Sequence, residues 1–115
     1  MPSTPDQRYR RYHRRKHIVD GWKLDSGCIS CERPIEDPHL LEFDHLPEYE
    51  KKMDVSHALY QGWEVLRAEA AKCEIVCYWC HKERTKVRRL EAKVRKLQLE
   101  LRELTRKGQN ESPKP

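Results

Sequence analysis

Two cysteine pairs with metal-ligand spacing are the strongest chemical signal in the chain. Cys28 and Cys31 lie in CISC, and Cys77 and Cys80 lie in CYWC. Each C-x-x-C unit can bind one side of a tetrahedral Zn²⁺, and two units complete a Cys₄ site. Because four thiolates leave no coordination position for a substrate, such a zinc is structural. We predict one structural Zn²⁺, with disulfides or unrelated thiols as the alternatives.

The composition favours a metal over disulfide bonds. The chain has 115 residues, of which 37% are apolar and 37% are charged, with a single Phe, so burial alone supplies a thin core. Five cysteines are an odd number for a disulfide framework, and the N-terminal region lacks the apolar segment of a secretory signal. We therefore expect a cytoplasmic protein with no membrane span.

Asp44, His45 and His81 form a second candidate site. The segment LEFDHLP (41–47) reads as a strand that ends in Asp-His before a proline, and His81 directly follows the second cysteine pair. A histidine fixed by a zinc site can join a carboxylate in holding a hard divalent cation, which leaves His45 to accept a proton from water. The alternatives are an ordinary turn feature and, for Asp44, an acceptor that orients a histidine.

Periodicity and composition divide the chain into four segments. These are a basic N-terminal arm (1–24), a central domain that contains the cysteine pairs (25–86), a coiled-coil-like helix (87–107) and a disordered tail (108–115). In the arm, residues 7–24 read as a helix that ends near Gly21. The C-terminal helix starts at Trp79 and meets no breaking residue before Gly108.

The central domain carries the elements that must position the candidate sites. Strands are predicted at 40–46 and 74–77, and a helix at 63–73 lies between them. Cys73 falls on the apolar face of that helix, where we expect a packed free thiol.

Charge is distributed unevenly along the chain. Residues 1–24 carry seven basic and two acidic residues, residues 25–80 carry five and twelve, and residues 81–115 carry twelve and five. Basic flanks of this density can bind phosphate backbones, although a solvated helix surface explains them as well. The acidic middle fits a protein in which some carboxylates hold a cation. The residues expected to contact DNA phosphates are Arg14, Arg15, Lys16, Lys82 and Arg84.

The C-terminal helix carries an apolar heptad stripe. Val and Leu recur at steps of three and four from Val87 to Leu104, with Val at two of three a positions and Leu at every d position. This pattern favours a parallel two-stranded coiled coil, in which Lys86 at g and Glu91 at e attract each other. We expect a homodimer through 87–104, with packing against the chain's own N-terminal helix as the alternative.

The order of the motifs resembles the HNH endonucleases with the ββα-metal (His-Me finger) fold, in their zinc-containing bacterial and phage form. The family's hallmark is C-x-x-C, then a hydrophobic strand ending in Asp-His, then C-x-x-C-His leading into a basic helix. The matching stretches are CISC (28–31), LEFDHLP (41–47) and KCEIVCYWCHKERT (72–85). The resemblance implies an α+β domain with the ββα-metal fold, to which a basic N-terminal helix and a long C-terminal helix are added. It also implies that the protein acts in a bacterial host cell.

The resemblance also implies a role for each matching residue. The four cysteines match the structural zinc ligands, and His45 matches the general base that activates water. Asp44 and His81 match the ligands of a catalytic divalent metal, which would be Mg²⁺, Mn²⁺ or Ni²⁺. We therefore expect a metal-dependent endonuclease that hydrolyses phosphodiester bonds of double-stranded DNA.

One position of the family pattern is missing from this chain. The middle Asn of His-Asn-His braces the loop that bears the general base, but the only Asn here is Asn110. Ser56 or His57 is the nearest candidate for that bracing role. The missing Asn favours an alternative function, a catalytically silent zinc module that binds nucleic acid or a partner protein. A third interpretation is a coiled-coil assembly factor with a zinc knot.

Overall fold

The fold is α+β and mostly helical, as seen in a computed structural model that describes residues 2–110. In order along the chain, the elements are α1 (Pro5–Ser26), β1 (Leu41–His45), α2 (Val55–Ala58), α3 (Trp63–Ala70), β2 (Cys73–Cys77) and α4 (Tyr78–Asn110). A short 3₁₀ turn, Pro38–Leu40, leads into β1. The chain forms two compact units, the first of which ends at His81 while the second begins at Lys82.

The ends of α1 follow from local capping. The hydroxyl of Thr4 accepts a hydrogen bond from the backbone N–H of Gln7, whose side chain accepts from the N–H of Thr4 in return, which is a capping box. The helix ends at Ser26 and is capped by Gly27, which adopts a φ of 63° that suits glycine. Our prediction that it ends near Gly21 is wrong, because Trp22 packs against the core and stabilises the turn beyond that glycine.

The two strands form an antiparallel pair that joins the candidate sites. Leu41 lies opposite Cys77, and His45 lies opposite Cys73. The predicted helix across 63–73 is shorter in the structure, since α3 ends at Ala70 and the backbone of Cys73 belongs to β2. Cys73 is therefore a strand residue and not a helix residue, although its thiol packs against the core and donates a hydrogen bond to a backbone carbonyl as a free thiol would.

The buried core consists of two small clusters. The first packs helices together and comprises Val19, Val55, Ala58, Leu59 and Leu66. The second lies around the sheet and comprises Cys28, Leu41, Val76 and Cys77. Two of the four side chains in the second cluster are cysteines, so apolar burial there is slight and a metal ion would add the cross-link that this part of the fold lacks.

The helix α4 is 33 residues long. It continues through Asn110, so our prediction of disorder from Gly108 onward is wrong for residues 108–110, while residues 111–115 lie outside the described part of the chain. Six stripe residues remain between 43% and 66% exposed: Val87, Leu90, Val94, Leu97, Leu101 and Leu104. No helix within residues 2–110 has both the length and the apolar character needed to cross a bilayer.

Candidate metal centre and candidate active site

The four predicted cysteines converge on one point. The Sγ atoms of Cys28, Cys31, Cys77 and Cys80 all lie within 4.8 Å of one another. The sulfurs of Cys31 and Cys77 are 3.8 Å apart, which matches the edge of a tetrahedron whose Zn–S distances are about 2.3 Å. That separation is far longer than the S–S bond of a disulfide, which is about 2.0 Å. The group can therefore hold a structural metal ion such as zinc.

Two elements bring the cysteine pairs together. The first pair lies in the loop after α1, which is tied to β2 because the N–H of Ile29 donates to the carbonyl of Ile75 (3.0 Å). This loop turns back at Glu32, whose N–H donates to the carbonyl of Cys28 (3.2 Å) and whose φ of 55° is uncommon for a non-glycine residue. The second pair spans the junction of β2 and α4, so the start of α4 is fixed to the sheet.

The thiols of Cys28 and Cys80 differ in pKa. Burial raises the pKa of Cys28, but backbone N–H groups of Cys31, Cys77 and Ser30 outweigh it and bring that pKa down to about 6. Burial, and hydrogen bonds that the protonated Cys80 thiol donates to the neighbouring sulfurs, raise the pKa of Cys80 to about 12. Because zinc binds thiolates, uptake of the metal by this group releases the protons that remain.

Asp44 and His81 lie close together, with Glu42 beside them. Glu42 and Asp44 are alternate residues of β1, so they share a face of the strand. The Nε2 atom of His81 is 3.6 Å from Oδ1 of Asp44, and its Nδ1 atom is 3.2 Å from Oε1 of Glu42. The Asp44 side chain is only 2% exposed, whereas that of His81 is 31% exposed. One histidine thus contacts two carboxylates in a site that is open to solvent on the histidine side.

Asp44 and His81 have the chemistry and the spacing of two ligands of a divalent cation. Two donors held about 2.1 Å from one ion lie about 3.0–3.5 Å apart at common coordination angles, close to the separation of Asp44 and His81. Glu42 on Nδ1 would orient the imidazole with Nε2 toward the ion, as carboxylates do for many metal-bound histidines. Within residues 2–110, only the cysteine group brings three or more such donors to one point. A cation held by Asp44 and His81 would keep positions for water and substrate.

His45 lies on the other face of β1 from Asp44 and contacts a buried carboxylate. Its Nε2 atom is 3.0 Å from Oε2 of Glu69, whose side chain is 2% exposed. The Nζ atom of Lys72 is 2.7 Å from the other carboxylate oxygen, Oε1. Hydrogen bonds from Lys72, first, and from His45 outweigh burial and lower the pKa of Glu69 to about 2, so this carboxylate is charged at neutral pH.

The sequence interpretation missed Glu69 and Lys72. A signal was present, because Glu69 follows Leu66 by three residues and therefore lies on the apolar face of α3. A charged residue on a buried face needs a partner. One partner, Lys72, lies three residues further on, but the other, His45, is 24 positions away along the chain, which helical periodicity does not reveal.

Lys72 also holds the loop that follows His45. Its Nζ atom donates a hydrogen bond to the backbone carbonyl of Glu50 (2.8 Å). Its own backbone carbonyl accepts a hydrogen bond from the N–H of Leu46 (2.9 Å). The first residue and the middle of this loop (46–54) are therefore attached to the same lysine.

Ser56 and His57, for one of which we predicted a bracing role, lie just after this loop, and the backbone N–H of His57 donates to the carbonyl of its last residue, Asp54 (3.0 Å). Both residues lie on α2 and are exposed, since Val55 and Ala58 occupy the buried side of that short helix. The imidazole of His57 contacts the side chain of Gln61, at 3.4 Å.

The residues predicted to bind DNA differ in their availability. Arg14 is exposed, whereas Arg15 donates through Nε to the backbone carbonyl of the residue after α2, at 2.6 Å. Lys16 forms an ion pair with the aspartate one turn later in α1, at 3.0 Å. Lys82 is exposed and Arg84 is partly buried on α4, in the second unit. Arg14 and Lys82 are therefore the exposed residues among the five.

Comparisons of the chain with protein-family models, with curated proteins and with solved structures found no match. Function is therefore inferred from the side chains described above and from the motifs that carry the family resemblance.

Proposed function

We propose that the chain is a metal-dependent DNA endonuclease of the HNH type, built on β1, β2 and the start of α4. The observation that most supports this function is the 3.6 Å approach of His81 Nε2 to Asp44 Oδ1, immediately beside the cysteine cluster. The cluster fixes the helix start that carries His81, and β1 carries Asp44. Two donors from separate elements thus meet at a site where a phosphate could share the cation.

Each residue of the site has a proposed task. Asp44 and His81 hold the divalent cation, which when bound neutralises charge on the scissile phosphate and on the leaving oxygen. His45, next to Asp44 at the end of β1, accepts the proton of the attacking water, a step for which histidine is well suited near neutral pH. Exposed basic side chains such as Arg14 and Lys82 hold flanking phosphates without reading sequence.

A second candidate function is a catalytically silent zinc module that binds nucleic acid or a protein. Two observations favour it. The chain lacks the Asn of the family pattern, and the proposed catalytic metal would have only two protein ligands, Asp44 and His81, whereas the cysteine cluster offers four. Such a module would keep the zinc and the basic surface but would not hydrolyse DNA. The third interpretation, a zinc-containing coiled-coil assembly factor, likewise predicts no cleavage of DNA.

We also propose that the apolar stripe on α4 pairs two copies of the chain. Its six residues recur every three or four positions and are exposed, and a monomer gains nothing by exposing them. A second copy fits because Val at a, Leu at d and the Lys86–Glu91 charge pair match a parallel two-stranded coiled coil.

Cleavage of supercoiled plasmid tests the proposed function. The purified protein is incubated with plasmid alone and with Mg²⁺, Mn²⁺ or Ni²⁺, and we expect nicked or linear product only when a metal is added. His45→Ala should lower the rate by roughly 10²–10⁴-fold, the usual effect of losing a general base. His39→Ala is the matched control, because His39 is 75% exposed in its side chain and lies in the 3₁₀ turn before β1.

The outcomes separate the candidate functions. A wild-type protein that binds duplex DNA but leaves the plasmid intact with every metal supports the silent module and rejects the nuclease. Cleavage that is equally fast in His45→Ala would keep the nuclease but show that another group is the base.

A further inference from the structure

The contact between His45 and Glu69 determines which imidazole nitrogen can act as a base. Glu69 is charged and can only accept hydrogen bonds, so at 3.0 Å the Nε2 atom of His45 must carry the proton and donate it. In the neutral ring the lone pair then lies on Nδ1, which is the nitrogen left to accept a proton from water. The His45 side chain is 12% exposed, so solvent still reaches it.

Glu69 itself is held in one orientation. Its two carboxylate oxygens are divided between two partners, with Oε2 toward His45 and Oε1 toward Lys72, which is 2.7 Å away. Its backbone is also fixed, because its carbonyl accepts hydrogen bonds from the N–H of Lys72 (3.1 Å) and from the thiol of Cys73 (3.3 Å). A buried carboxylate held in this way can align an imidazole without losing further conformational entropy.

Lys72 extends this arrangement to the loop behind the base. It contacts the loop at Leu46 and at Glu50, the points just after His45 and four residues further on. The family pattern assigns loop bracing to an Asn that this chain lacks, and the described residues place a lysine where such bracing is needed.

We propose that Glu69 is the positioning residue of His45 and that Lys72 braces both the carboxylate and the loop, which together replace the missing Asn. The assignment rests on the proposed function, because His45 must be the general base for its orientation to affect a rate. In this role Glu69 and Lys72 do not act directly on the scissile phosphate or on the cation. Their effect on catalysis passes through the imidazole.

A double-mutant cycle distinguishes positioning from simple stabilisation. Glu69→Gln should lower kcat of plasmid cleavage by about 10- to 100-fold with little change in KM, which is less than the loss expected for removing the base. In a His45→Ala background the same change should alter the residual rate by less than about twofold, since the group that Glu69 orients is gone. Glu64→Gln, on the exposed side of α3, is the matched control and should leave kcat unchanged.

Equal losses from Glu69→Gln in both backgrounds would overturn the proposal, because they would show that Glu69 acts on the fold and not through His45. Zinc content and far-ultraviolet circular dichroism identify variants that fail to fold. In that event Glu69→Asp is used, which keeps the charge but withdraws it from His45, and it should give the same dependence on His45.

Nitrogen-15 NMR of the His45 ring tests the geometry without any cleavage assay. The wild-type protein should show the Nε2–H tautomer at a pH where the ring is neutral, and Glu69→Gln should increase the share of the Nδ1–H tautomer. A wild type that fails to cut DNA rejects the proposed function, and the tautomer then still decides whether Glu69 orients His45. A dominant Nδ1–H tautomer in the wild type would overturn the positioning role in either case.

Discussion

His45 and His81 both contact carboxylates, but the two contacts differ in burial. The partner of His45, Glu69, is almost fully buried and is shared with a lysine. His81 lies between buried Asp44 and Glu42, whose side chain is 40% exposed. A buried, fully paired carboxylate is suited to fixing an imidazole, whereas an open site is suited to exchanging water and ligands. The proposed base and the proposed metal ligand thus have surroundings that match their different tasks.

Glu69 should make the folded protein sensitive to acid. Its pKa is about 2 in the folded chain because Lys72 and His45 favour the charged form, against an ordinary value of 4.5. The folded state therefore binds fewer protons than the unfolded state, so the stabilisation is fully present above pH 4.5 and is lost as the pH falls toward 2. Urea midpoints of wild type and Glu69→Gln, measured with excess zinc, should converge as the pH is lowered through this window.

The same titration has an internal control in α3. Glu64→Gln changes an exposed carboxylate of that helix and should track the wild type at every pH. A midpoint difference between wild type and Glu69→Gln that stays constant from neutral pH into this acid window would contradict the role assigned to the buried carboxylate.

At the scale of elements, the cysteine cluster joins three parts of the first unit. It connects the loop after α1, the end of β2 and the first turn of α4, and it shares its sulfurs with the smaller core cluster. The junction of β2 and α4 carries the second cysteine pair and then His81. Metal binding would therefore fix the position of the candidate active site as well as the fold.

We expect one zinc per chain, and loss of the fold around β1 and β2 when a ligand is removed. Cys80→Ser takes away one of four thiolates, and small metal sites rarely stay folded without their ion. Metal analysis by mass spectrometry and circular dichroism should show a chain with little zinc and less structure. Cys73→Ser is the control, since Cys73 lies outside the cluster and should keep full zinc content. Folded, active wild type that contains no zinc would rule out the structural-metal prediction.

Elements that depend on neighbouring residues were predictable from the sequence, and those that depend on distant contacts were not. The strand at Leu41–His45 and the convergence of the cysteine pairs follow from alternation and from ligand spacing. The helix through Gly21 did not follow, because packing of Trp22 outweighs the low helix propensity of glycine. The contact of His45 with Glu69 could not be predicted either. It forms only because the turn between α3 and β2 brings the Glu69 carboxylate next to the end of β1.

At the scale of the whole chain, the charge pattern and the apolar stripe point to different partners. Basic residues predominate at both ends, and several acidic residues of the middle segment have specific internal roles, with Asp44 and Glu69 buried. The second unit offers no buried core of its own among its described residues, because its helix leaves the stripe exposed. A helix with such a face is normally stabilised by packing against another element.

Leu97 and Leu99 give a matched test of the proposed dimer. Both are strongly exposed, at 62% and 59%, but Leu97 lies on the stripe at a d position and Leu99 lies two residues further on, off the stripe. Leu97→Asp would bury a charge at the seam of a coiled coil and should give monomer, whereas Leu99→Asp leaves the seam intact and should remain a dimer. Multi-angle light scattering at micromolar concentrations measures both, together with the wild type.

Because the stripe from Val87 to Leu104 is only about 25 Å long, the coil is short and its dissociation should depend visibly on concentration. A wild type that stays monomeric at the highest concentration would exclude the dimer, and equal loss of dimer in both variants would show that the seam lies elsewhere on α4.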